Sequence, residues 1–148
     1  MGFIAIAFFI FAVELILKGN AEKHLEEGKR VPILKEKLYL TKFHNKGAAL
    51  GWGEKKPELV RGISYGMIAV CTIVFVLTLG RHGKGLLKVS LGLLLGGAYS
   101  NAYDRIKRDY VVDYFGFNVK NEKIRNIVFN ISDFCIVIGA VISAIKLS

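Results

Sequence analysis

The sequence predicts an all-α membrane protein of four transmembrane helices, with a small β-sheet subdomain carried between them. Three observations carry that expectation. Of 148 residues, 53% are hydrophobic and only 22% are charged. The apolar residues gather in four long runs. Seventeen of the 21 Lys and Arg gather in two segments between the runs, 18–62 and 104–126. The same composition excludes other classes. So much apolar residue rules out a disordered chain, and two cysteines cannot staple a disulfide scaffold of this length. A formal net charge of +9 suits basic loops on a membrane protein better than a water-soluble nucleic-acid binder.

The first run, 3–17, is broken only by Glu14 and closed by Lys18. The second, 63–79, carries no charge. The third, 86–98, follows Arg81 and Lys84 and holds Lys88. The fourth, 127–145, has one charge, Asp133. A bilayer core of roughly 30 Å needs about 20 helical residues, and no fewer than about 17. The second and fourth runs meet that outright. The first and third span only if polar residues at their ends enter the bilayer, the third then running through Asn101 to Asp104. A cleaved secretory signal is the alternative for 3–17. It is disfavoured because no Lys or Arg precedes the run and no clean small-x-small site follows it.

In the first long loop, Leu38 and Leu40 alternate with Tyr39, Thr41 and Phe43, a period of two that predicts one or two short strands. Asn45-Lys46-Gly47 reads as a turn, and Trp52 suits a membrane interface. No repeat is visible, so residues 1–148 are read as one membrane domain. Cys71 and Cys135 fall inside apolar runs and read as buried thiols. His24, His44 and His82 are scattered, and no cluster has metal-ligand spacing, so neither metal nor cofactor is expected.

Polar groups at membrane depth cost free energy and persist when paired, hydrated or functional. Here they concentrate where the second loop meets the third and fourth runs. Asn101 and Asp104 are spaced i,i+3 on one helix, and Asn130 and Asp133 repeat that spacing on another. Gly92, Gly96 and Gly97 allow close helix approach. Asp104, beside Arg105, reads as a structural acid. Asp113, flanked by Val111, Val112, Tyr114 and Phe115, and Asp133, in an apolar helix, are candidates for unusual protonation. The residues alone leave open whether these two act chemically or only accept buried hydrogen bonds. Two carboxyl groups held close cannot both ionise easily. Such a pair can activate water and protonate a leaving amine. Ser100 and Ser132 have no intramembrane His or Lys beside them in sequence to act as a base.

At these residues the chain resembles the lipoprotein signal peptidase (signal peptidase II) family. Glu14-Leu15-Ile16-Leu17-Lys18 stands where the family has Asp-Gln-x-x-Lys. Asn45-Lys46-Gly47-Ala48-Ala49-Leu50-Gly51 is similar to Asn-x-Gly-Ala-Ala/Ser-Phe-Gly. Gly96-Gly97-Ala98-Tyr99-Ser100-Asn101-Ala102-Tyr103-Asp104-Arg105, then Val111-Val112-Asp113-Tyr114, resembles Gly-Gly-Ala-x-Gly-Asn-x-x-Asp-Arg, then Val-x-Asp-Phe. Phe129-Asn130-Ile131-Ser132-Asp133 resembles Phe-Asn-x-Ala-Asp. Each motif is weak alone; their order and spacing over most of the chain are specific.

The resemblance implies an aspartic endopeptidase that cuts diacylglyceryl-modified prolipoproteins before the lipidated cysteine. It implies catalytic Asp113 and Asp133, and substrate-holding Asn45, Asn101, Arg105 and Asn130. Asp104, Glu14 and Lys18 are implied as structural polar residues. It makes residues 19–62 an extracytoplasmic loop with short strands and 104–126 a second one. Both termini are then cytoplasmic, in a multi-pass cell-membrane protein. Lipid-modified precursor and membrane lipids are the implied partners of a monomer, with no nucleic acid. Counting Lys and Arg would instead place those loops in the cytoplasm; the resemblance is followed, with loop lysines meeting anionic headgroups. Glu14, Leu15, Leu50, Ser100 and Ser132 depart from the family pattern. They keep open a non-catalytic or divergent relative that binds precursors. A proton-relay bundle using Glu14, Asp104 and Asp133 is a third reading.

Overall fold

The computed structural model describes residues 2–48 and 52–148. Its elements run α1 (Gly2–His24), β1 (Val31–Ile33), β2 (Leu38–Asn45), α2 (Pro57–Leu79), α3 (Gly85–Arg108), β3 (Val111–Phe117), α4 (Glu122–Arg125), β4 (Val128–Phe129) and α5 (Ile131–Leu147). The fold is mostly helical. Among the described residues four antiparallel strands form a sheet in the order β1-β2-β3-β4. The Ala49-Leu50-Gly51 part of the sequence motif lies outside the described residues.

α1 is packed inside out. It buries only Glu14, Lys18 and Ala21, while Phe8 is 71% exposed. Such a helix is at home where the solvent is lipid and the interior is polar. α1 and α2 each have 23 residues and a mean hydropathy of 2.1 over their most apolar stretch, a length of about 35 Å at 1.5 Å per residue. Among the described residues these two are long and apolar enough to cross a membrane. That corrects the order read from the apolar runs. α1 continues to His24 because Lys18 is neutralised from inside, so the first run is not short. The fourth run gives its first residues to β4 and to the helix cap at Asn130, which leaves α5 with 17 residues.

α3 lies at the centre, against α1, α2 and α5. It runs to Arg108, past the expected end at Asp104, because Asp104 and Arg105 are both buried with partners. Asp109, in the left-handed region at φ 65°, then ends it. The chain between α1 and α2 is therefore 25–56, and that between α3 and α5 is 109–130, each shifted from the expected loop bounds. Lys88 donates to the carbonyls of Leu79 and Arg81 at 2.9 and 2.7 Å, satisfying the end of α2.

Glycines set the helix spacing. Of the three expected to admit one neighbour, Gly92 and Gly96 face α1 while Gly97 faces α5. A Cβ on Gly97 would stand 2.6 Å from the Ser132 carbonyl oxygen. Further along the same interface the Ser90 and Ser143 hydroxyls meet at 2.8 Å.

The expected strand alternation is present, with Tyr39 and Thr41 both buried. It breaks before Phe43. A bulge between Leu40 and Phe43 inserts one residue against β3, so Phe43 turns outward to the face shared with Asp113. Strands β3 and β4 were not expected. β3 is buried on both faces over its first four residues, so it shows no alternation to read. Cys71 and Cys135 are free and half-buried rather than fully buried.

Candidate active site

The candidate site residues Glu14, Lys18, Asn45, Asn101, Asp104, Arg105, Asp113, Asn130 and Asp133 converge on one region, where α1, α3, β3 and the start of α5 meet the end of β2. Asn130 organises it. It is the N-cap of α5, with extended backbone, and not a residue on the helix face as its spacing suggested. Its Oδ1 accepts the Asp133 N–H at 3.0 Å, and its own N–H donates to Asp133 Oδ2 at 3.1 Å, completing a capping box. Its amide Nδ2 then has to point the other way, and donates to Asp113 Oδ1 at 2.7 Å. One residue therefore holds both acids, Asp113 by its side-chain amide and Asp133 by its backbone N–H.

Asn45 secures the other oxygen of Asp113. Its Oδ1 accepts the Gly47 N–H at 2.9 Å in the tight turn after β2, which directs Nδ2 at Asp113 Oδ2, 3.0 Å away. Arg105 ties the same turn to α3 by donating to the Gly47 carbonyl at 2.9 Å. Asn101 is oriented by Lys18, which donates to its Oδ1 at 2.7 Å; its Nδ2 faces Asp133 Oδ1 at 3.3 Å. Each amide orientation is thus fixed by a second contact.

Behind the two acids sits a buried charge network. Lys18, fully buried, lies 3.1 Å from Asp104 Oδ2 and 3.6 Å from Glu14 Oε2, and donates to Ser100 Oγ at 3.0 Å. Asp104, read from the sequence as a structural acid, pairs with Lys18 and with Arg108 at 3.1 Å, and accepts the Val112 N–H at 3.2 Å. Glu14 accepts from the Tyr114 phenol at 2.6 Å and the Ser132 hydroxyl at 2.7 Å. Ser132 stands beside Asp133 in sequence, but its hydroxyl goes to Glu14.

Four carboxyl groups share this region with Lys18, Arg105 and, at its rim, Arg108. The acids outnumber the cations, so retaining one proton lowers the electrostatic cost. Asp113 bears it out. Burial, and after it the charge of Asp133, lifts its pKa from 3.8 to about 8, against the opposing pull of the Asn45 and Asn130 amides and of Lys18. Among the described residues, no group of three metal-ligating side chains converges here or elsewhere.

Asp133, Asn101 and Arg105 form the polar end of a cavity of about 290 Å³ between α2, α3 and α5. The rest of its wall is mainly apolar, with Met67, Cys71, Leu94 and Val137 along it. Asp113 does not line this cavity; it is 2% exposed and stands behind it. A larger apolar groove, between α1 and α3, carries no carboxyl group.

Sequence reasoning missed Arg108, whose i,i+4 spacing from Asp104 was the available signal. It noticed Ser100 and Ser132 but not their partners, and it missed the Tyr114 phenol. A hydroxyl in an apolar segment was the signal there, because a buried hydroxyl needs a mate.

Two solved structures share the fold. Both are bacterial membrane enzymes determined by the in meso method, one at 2.3 Å and one at 1.9 Å resolution. The first has a TM-score of 0.80 at 24% identity, over 99% of this chain and 87% of that one. The second has a TM-score of 0.78 at 24% identity, over 99% of this chain and 92% of that one. The family model for signal peptidase (SPase) II matches residues 6–148. With nearly the whole chain matched, the protein belongs to the signal peptidase II family.

Proposed function

We propose that the protein is an aspartic endopeptidase that removes signal peptides from diacylglyceryl-modified prolipoproteins, cutting before the lipidated cysteine, with Asp113 and Asp133 as its catalytic pair. Family membership supports the peptidase and its membrane setting. The observation that carries the catalytic assignment is the Asn130 bridge, 2.7 Å to Asp113 and 3.1 Å to Asp133. It keeps two carboxyl groups close in a buried place, where they share a proton. The ionised member takes a proton from water as that water attacks the scissile carbonyl. The protonated member then supplies a proton to the departing amine. No covalent intermediate is needed.

The cavity supports the substrate class. Its apolar length suits an acyl chain, and its polar end puts Asn101 and Arg105 beside Asp133. There they would pair with peptide groups that have left water. Asn45 and Asn130 would hold the opposite side through Asp113. Asp104, Glu14 and Lys18 are structural.

The reading has α1, α2, α3 and α5 all crossing the bilayer of the cell membrane. The chain is one domain and a monomer. Both termini are cytoplasmic, and the sheet lies outside among lipid headgroups. α3 has 24 residues, and its Lys88, Ser90, Ser100, Asn101, Asp104 and Arg105 are buried. α5 meets the lower length limit.

Purified protein given a synthetic diacylated precursor should release the signal peptide, while Asp113→Asn and Asp133→Asn each remain folded and release none. Undiminished cleavage by either variant rejects the dyad. Binding of precursor without turnover by the unmodified protein would make it a non-catalytic relative.

A further inference from the structure

Glu14 has no part in the proposed chemistry, yet its two oxygens take hydrogen bonds from the immediate neighbours of both acids. Tyr114 follows Asp113 on β3, and its phenol donates to Glu14 Oε1 at 2.6 Å. Ser132 precedes Asp133 on α5, and its hydroxyl donates to Glu14 Oε2 at 2.7 Å. The phenol oxygen also accepts the Ile131 N–H at 3.2 Å, a second grip on the start of α5. Glu14 and Ser132 are fully buried, and Tyr114 is 7% exposed. Successive strand residues point to opposite faces. Tyr114 therefore leaves β3 on the side away from Asp113, and these contacts lie behind the pair.

We propose that Glu14, Tyr114 and Ser132 form a two-sided clamp that sets the separation of Asp113 and Asp133, acting as positioning residues for the cleavage reaction. The inference rests on the aspartic reading above. β3 and α5 are separate elements, and two like carboxyl groups in a buried place push them apart. In front, the Asn130 amide joins Asp113 to the start of α5. Behind, Glu14 joins Tyr114 to Ser132. A carboxylate suits the task, since its two oxygens diverge and each makes a short charge-assisted bond. Lys18, 3.6 Å from Oε2, balances its charge. The α5 backbone at Ser132 also packs closely on Gly97 of α3.

A two-sided clamp fails when either side is cut. Tyr114→Phe and Ser132→Ala each remove one hydroxyl and leave Lys18 and Glu14 paired, so both should fold. Each single variant should lower kcat by about tenfold with KM within about twofold, since the acids shift while the apolar wall of the cavity does not. Tyr114→Phe also ends the Ile131 grip, so the double variant should lose no more than Tyr114→Phe alone, not about a hundredfold. The pH profile provides a second readout that packing alone would not move. As the pair separates, its two apparent pKa values converge and the bell narrows. Asn45 from β2, Lys18 from α1, Arg105 from α3 and Asn130 at the start of α5 also face these acids, and all four are unchanged in these variants.

Multiplying losses in the double variant would mean two independent anchors and would overturn the clamp. So would lower melting temperatures with unchanged kcat and an unchanged bell. No cleavage by the unmodified protein would remove the peptidase reading and the clamp together. Normal cleavage by the unmodified protein and by both single variants would remove the clamp alone.

Discussion

Asn130 and Asp113 stand 17 positions apart, and the amide nitrogen of the first lies 2.7 Å from the carboxyl oxygen of the second. The same asparagine caps α5, so starting the helix and placing the acid are one event. Asn130→Ala should lower stability by about 1–3 kcal/mol, from the lost cap and the lost bond to a buried carboxyl group. Cleavage should fall further than that stability loss explains. Thermal melting in detergent, beside turnover at a temperature where the variant is fully folded, separates the two effects.

The raised pKa of Asp113 has a definite sign in stability. A carboxyl group at 3.8 unfolded and about 8 folded binds more protons in the folded state between those values. Its contribution is fully present below pH 3.8 and is lost as pH rises through about 8. Asp113→Asn cannot titrate, so the decline of melting temperature across that window should flatten in the variant. An equally steep decline would assign it to another group.

Lys18 is fully buried, facing Glu14 and Asp104. Lys18→Met should cost about 3–5 kcal/mol, because it strands buried charge. Adding Asp104→Asn should recover part of that loss, since one stranded charge goes with it. Yield of folded protein and denaturant midpoints of the single and double variants test this. A double variant worse than the single would show that Asp104 is held by Arg108 and the Val112 N–H alone.

Two glycine substitutions should differ in sign. A Cβ on Gly97 meets the α5 backbone at 2.6 Å, whereas one on Gly62 meets nothing within 4 Å. Gly97→Ala should destabilise by about 1–3 kcal/mol by forcing α3 and α5 apart, and should lower turnover with it. Gly62→Ala should be neutral or gain up to about 1 kcal/mol from helix propensity. Paired melting curves and turnover rates decide both.

Much of this site was legible because lipid inverts the usual statistics. Asn101, Asp104, Asn130 and Asp133 stood out as polar residues in apolar runs, where each has to find a partner. What the chain could not display was direction. Gly92, Gly96 and Gly97 look alike in sequence, yet they serve two neighbours, because one helix turn separates faces that sequence lists side by side. Asn130 and Asp133 carry helical spacing, but the first lies outside the helix. The i,i+3 pattern of a capping box and that of a helix face are the same pattern. β3 was invisible for a third reason. A strand covered on both sides has no polar beat, so 111–117 read as an apolar stretch around one acid. The Glu14 contacts to Tyr114 and Ser132 span 100 and 118 positions, a distance at which local pattern carries no information.

α1 turns the Glu14 carboxylate and the Lys18 ammonium inward, and Phe8 and Phe9 outward. Its oily outer face makes no bonds that define the site. Most of that exterior could be repainted with polar side chains, and the chemistry within would not register the change. Redesign of the outward face of α1 is therefore a problem of surface only, and the buried polar residues behind it could be carried over untouched.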